Sequence, residues 1–180
     1  MILDILLNKK NFLERKNYFK IYNGASPFPH TVIDDFLEKD FVNELHDEAR
    51  KTLKNIDVSN NFTQKNKLAC NDWEIFGRNT FDFISFLNSS IFTKFLEDIT
   101  GIKGLISDPL LEGGGIHSVS NKGFLKMHSD FNWHNHLKLS RRINILFYLN
   151  KNWTKNMKGE LILSSTNMKN YKSIEPMFNR

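Results

Sequence analysis

The stretch GFLKMHSDFN, residues 123–132, decides how this chain is read. Apolar Phe124 and Leu125 lead into His128, Ser129 and Asp130. If these residues form a strand, its side chains alternate between two faces, so His128 and Asp130 project together and Ser129 turns away. An imidazole beside a carboxylate is two-thirds of the 2-His-1-carboxylate set, which leaves positions open on a ferrous ion for a co-substrate and dioxygen. The His-x-Asp tripeptide arises easily by chance, so the weight falls on its surroundings.

Just downstream, NWHNHLK carries His134 and His136, so three of the six histidines fall within residues 126–136. These two are rival ligands, for zinc for instance, but their polar setting predicts a solvated loop for both. His117 follows three glycines and either lines a pocket or serves as a structural histidine. Further on, RRINILFYLN, residues 141–150, has the texture of a strand. Alternation places Arg142, Asn144, Leu146 and Tyr148 on one face, with Ile143, Ile145 and Phe147 on the other. An amide in an apolar strand needs partners. Asn144 and the Tyr148 hydroxyl therefore either satisfy neighbouring backbone or face a pocket and hold a polar ligand.

The ordered set GFLKMHSDFN, RRINILFYLN, Trp153, GELIL and IEPMFNR resembles the prolyl-4-hydroxylase-like branch of the Fe(II)/2-oxoglutarate oxygenases. PFPHTVIDDFL and LLEGGGIHSVS are also similar to bacterial and phage members, and the resemblance runs from Pro27 to the end. It implies an α+β fold: a double-stranded β-helix, or jelly roll, backed by helices, with residues 141–150 as a core strand. It implies that His128 and Asp130 are iron ligands. It implies that the Tyr148 hydroxyl meets the distal carboxylate of 2-oxoglutarate, and that Asn144 is an inward pocket position. The implied cofactors are Fe(II), 2-oxoglutarate as co-substrate and O2, with ascorbate as an accessory reductant. The implied activity is hydroxylation of an unactivated C–H bond in a prolyl residue, another amino acid or a small metabolite.

The sequence departs from the pattern in three places. Lys158 stands before Gly159 where relatives carry a second glycine. The family's distal histidine and its basic anchor for 2-oxoglutarate follow the counterpart of IEPMFNR, and this sequence ends within that motif at Arg180. The expectation is a truncated jelly roll that lacks its last strands and is inactive or impaired. The alternative is a non-catalytic jelly-roll binding module with a degenerate metal site.

The rest of the chain is read as support. Its 180 residues suit a single domain, with residues 1–103 as mainly helical support and 104–180 as the incomplete jelly-roll core. Sixteen phenylalanines provide for an aromatic interior. Within residues 38–55, Phe41, Leu45, Ala49 and Leu53 recur every four positions, which predicts an amphipathic helix with His46 beside its apolar stripe. Residues 55–71 are polar, rich in asparagine and expected as loop. Thr31 to Ile33 is a short β-prone piece. Phe83, Phe86 and Leu87 fit one face of a helix. A further helix follows, with Ser89 or Ser90 as its N-cap and Gly101 just past its end.

The net charge of +5 is spread without basic runs, which argues against a nucleic-acid partner. A single cysteine, Cys70, excludes an internal disulfide and fits a reducing compartment. The opening MILDILLNKK is too short to cross a membrane and lacks the form of a signal peptide, so the expectation is a cytoplasmic protein without a membrane partner.

Overall fold

A computed structural model describes residues 8–180. The N-terminal apolar run, residues 1–7, lies outside them. Among the described residues, no helix is long and apolar enough to cross a membrane. In chain order the elements are α1 (Lys9–Leu13), α2 (Arg15–Gly24), α3 (Lys39–Leu53), β1 (Gln64–Cys70), α4 (Arg78–Leu87) and α5 (Ser90–Thr100). Then come β2 (Ile116–Leu125), β3 (Trp133–His134), β4 (Leu139–Ser140), β5 (Leu161–Ser164) and β6 (Tyr171–Ile174). The chain forms two compact units: one from residues up to 44 with 89–106 and 147–180, the other from 45–88 with 107–146.

In the first unit an aromatic cluster forms the core. Phe12 and Phe95 lie 4.5 Å apart between ring centres, Phe92 and Phe95 5.8 Å, and Phe36 lies 6.0 Å from both Phe92 and Phe147. These separations are those at which ring pairs attract beyond simple burial. Helix α5 delivers Phe92, Phe95 and Ile99 to this core at helical spacing. Its ends are set by the expected residues. Ser89 Oγ accepts the Phe92 N–H, and Gly101 adopts a left-handed φ of 78° at the C-cap.

Asn179 closes the same unit by acting as a piece of strand. Its buried amide accepts the Leu37 N–H and donates to the Leu37 carbonyl, both at 2.9 Å. Its backbone N–H bonds the Tyr148 carbonyl, and the Tyr148 N–H bonds the Arg180 carbonyl. Strands β5 and β6 pair antiparallel, Leu161 opposite Ile174 and Ser164 opposite Tyr171.

The second unit holds β1 paired antiparallel with β2, Gln64 opposite Leu125 and Cys70 opposite Ile116. A bulge falls at Asn66, whose φ is 53°. Gly115, at φ 99°, introduces β2; a Cβ there would collide with the Cys70 carbonyl. Helix α4 is capped from outside its own sequence. Glu48 on α3 accepts the Thr80 N–H at 2.6 Å and the Asn79 N–H at 3.2 Å. Gly77, the residue before α4, leaves room for that carboxylate, since a Cβ there would overlap Glu48 Cδ.

The mixed α and β composition is as expected, and Phe41, Leu45, Ala49 and Leu53 are all buried on α3. Four readings need correction. Residues 64–70, expected as loop, form β1, because pairing with β2 overrides a sequence of low strand propensity. Thr31 to Ile33 carries no strand. The strand leading to His128 stops at Leu125: Lys126 adds one bond to the Thr63 carbonyl, and Thr63 already belongs to a turn capped by Asn61. Residues 141–150, expected as a core strand, join no ladder among the described residues. The sheets observed among the described residues are three two-stranded ladders, which do not show a jelly roll.

Candidate metal centre

His128 and Asp130 lie in the irregular stretch after β2, yet they still meet. His128 Nε2 is 3.4 Å from Asp130 Oδ1. The ring's other nitrogen, Nδ1, lies 2.7 Å from the Lys126 carbonyl, which can only accept, so Nδ1 carries the proton and Nε2 presents a lone pair. Asp130 is steadied on its far side. Its Oδ2 accepts the Asn144 amide at 2.9 Å and lies 3.4 Å from Arg141 Nη2. Arg141 is itself seated over the Phe131 ring, 4.5 Å from its centre. The result is an imidazole nitrogen and a carboxylate oxygen facing each other at 3.4 Å. Both side chains are accessible, 45% and 42% exposed.

That arrangement fits a divalent ion. Ligand atoms bound at about 2.0–2.2 Å sit roughly 3 Å apart when adjacent on the metal. Holding the second ring nitrogen on a carbonyl, and the second carboxylate oxygen on an amide, is how protein scaffolds orient ligands. Among the described residues, no third His, Cys, Asp or Glu closes on this pair.

The other expected site residues fall as follows. Asn144 is brought to the pair, where one hydrogen of its amide nitrogen is donated to Asp130 Oδ2. Tyr148 belongs to the first compact unit. Burial raises its phenol above the ordinary value of 10.0, against the opposing pull of the Arg180 cation, so it stays protonated at neutral pH. Arg141, which the sequence reading passed over, is the cation at the Asp130 carboxylate. A cleft of about 450 Å³ lies in the first unit, lined by Asp34, Lys172 and Arg180 among others; none of His128, Asp130, Asn144 and Tyr148 lines it.

A second cluster was not anticipated. The β3–β4 hairpin buries His134, expected in a solvated loop, to 6% exposure. Its Nδ1 lies 3.3 Å from Glu112 Oε2 and its Nε2 lies 3.2 Å from Asp108 Oδ1. His136, exposed as expected, reaches the same Glu112 oxygen through Nδ1 at 3.0 Å. Glu112, His134 and His136 each offer a ligand atom within 4.8 Å of the others. The only sequence signal was the His-x-His spacing. The acidic partners lie more than twenty residues upstream, beyond the reach of any local pattern.

Residues 114–180 match the model of the 2OG-Fe(II) oxygenase superfamily. That segment contains His128, Asp130, Asn144 and Tyr148. No curated protein and no solved structure matches the chain. The family match and the presence of metal-competent side chains together support an oxygenase role at the level of the superfamily.

Proposed function

We propose that this chain carries the iron-binding segment of an Fe(II)- and 2-oxoglutarate-dependent dioxygenase, with His128 Nε2 and Asp130 Oδ1 as ligands. One observation carries the reading: within the matched segment, these two atoms face each other at 3.4 Å, and each side chain's other polar atom is held by a neighbour. Iron with 2-oxoglutarate supplies oxidising power, coupling decarboxylation of the oxo acid to succinate with hydroxylation of an unactivated C–H bond. The chain supplies placement. Lys126 fixes the His128 tautomer, while Asn144 and Arg141 hold Asp130 so that Oδ1 remains available. For Tyr148 the proposal is that its protonated hydroxyl donates to the far carboxylate of the co-substrate. The prolyl-4-hydroxylase-like branch, a jelly-roll framework, a cytoplasmic setting, an ascorbate requirement, and a prolyl, amino-acid or metabolite substrate remain parts of the proposal, resting on the ordered motifs alone.

Two protein ligands bind iron less firmly than three. Turnover by this chain is therefore expected to be slow. The test is succinate release from 2-oxoglutarate under air with added Fe(II). A low rate that disappears in Asp130→Ala supports the enzyme. No succinate at any Fe(II) concentration would favour the second reading, a binding module that keeps the pair without using it. The absence of a third closing ligand among the described residues is what favours that second reading.

A further inference from the structure

We infer that Glu112, His134 and His136 form a second divalent-cation site, of the kind zinc occupies, whose ligands share no residue with the His128–Asp130 pair. The argument begins with protons. The Leu137 N–H donates to His134 Nδ1 at 3.1 Å, so that nitrogen is an acceptor and the ring proton sits on Nε2. Glu112 Oε2 lies 3.3 Å from the same Nδ1. A carboxylate oxygen and an unprotonated nitrogen at that distance repel unless a cation lies between them. His136 Nδ1 lies 3.0 Å from the same oxygen, and the three possible ligand atoms lie within 4.8 Å of one another.

The spacing suits a metal. Zinc binds nitrogen and oxygen ligands at about 2.0–2.2 Å, which sets tetrahedral neighbours about 3.3 Å apart. The surroundings also fit. Metal-bound imidazoles usually direct the remaining N–H at a carboxylate. Here His134 Nε2 is buried, lacks a well-aligned hydrogen bond, and lies 3.2 Å from Asp108 Oδ1. A small turn of the ring would complete that bond. It would also release the Leu137 N–H, which metal ligation through Nδ1 requires.

Asp108 is rigid enough for this task, since its two oxygens accept the Leu110 and Glu112 N–H groups at 2.9 and 2.8 Å. The same turn places Glu112. On the hairpin, His134 and His136 are fixed by the pairing of Trp133 with Ser140 and by the Lys138 N–H on the His134 carbonyl. A bound cation would thus tie the β3–β4 hairpin to the turn at residues 108–112. His136 is 74% exposed, which leaves a fourth metal position open to water.

The test uses the full 180-residue chain stripped of metal and titrated with Zn(II) against a chromophoric chelator, with Co(II) as an absorbing substitute. The expected result is one tight zinc per chain and a raised melting temperature. His136→Ala and Glu112→Gln should each weaken zinc binding at least about tenfold, and Asp108→Asn by about tenfold. His136 is on the surface, so loss of its imidazole leaves the fold intact, and far-ultraviolet circular dichroism verifies this for each variant. The His128→Ala, Asp130→Ala double variant should bind zinc as the parent does, which separates this site from the iron proposal. No zinc uptake, unaltered uptake in His136→Ala and Glu112→Gln, or loss of the tight site in the double variant would each overturn the inference.

Discussion

Asp130 answers to three neighbours at once: an imidazole on one oxygen, an amide and a guanidinium on the other. That division of labour leaves Oδ1 as the oxygen available for the proposed iron ligation. Tyr148 shows the opposite treatment, a hydroxyl whose proton is held more firmly by burial. Its pKa is raised in the folded chain, so the stability linked to this proton is present below about pH 10 and is lost as pH rises further. Tyr148→Phe should therefore lose less stability than the parent between about pH 9 and pH 11, read as the shift in urea midpoint. Tyr18 is also raised, chiefly by burial, and sets a residual loss that both proteins share. An equal loss in parent and variant would show that Tyr148 titrates normally.

Helix α4 depends on a carboxylate it does not own. Glu48 satisfies two of the N–H groups that every helix start leaves unpaired, and the reach is possible because Gly77 has no side chain. Replacing Glu48 with Ala should cost about 1–2 kcal/mol in equilibrium unfolding. Glu48→Gln, which keeps one acceptor oxygen, should cost less. Equal stability of all three proteins would mean that water caps the helix as well as Glu48 does.

This cap also marks the limit of sequence reading. The α3 stripe was legible because burial and helical period coincide in Phe41, Leu45, Ala49 and Leu53. Ser89 and Gly101 were legible because end signals are local. Strand β1 was not: its polar residues carry no alternation, and only the partner strand β2 gives them a ladder. His128 and Asp130 were legible as a pair, although the strand argument that joined them holds only up to Leu125. Their proximity survives in irregular backbone because the Lys126 carbonyl, Asn144 and Arg141 hold the two side chains. His134 was misread because its polar partners, Asp108 and Glu112, lie outside any local window.

Across the chain, the described β-ladders are three two-stranded antiparallel ones, while the segment that matches the oxygenase superfamily spans residues 114–180. Residues 141–150 supply Arg141 and Asn144 to Asp130, although they join no ladder. The proposed iron pair thus rests on side chains placed by individual hydrogen bonds more than on a finished sheet. Two metal-competent clusters follow from this placement, and they differ in what fixes them. The His128–Asp130 pair is accessible and has two ligands. The Glu112–His134–His136 set has a buried centre and three.

The most direct measurement is the visible difference spectrum on adding Fe(II) and then 2-oxoglutarate without oxygen. The account predicts a weak charge-transfer band from the chelated metal, lost in His128→Ala and in Asp130→Ala and kept in His136→Ala. No band at saturating iron, or a band that persists when both His128 and Asp130 are replaced, would contradict it.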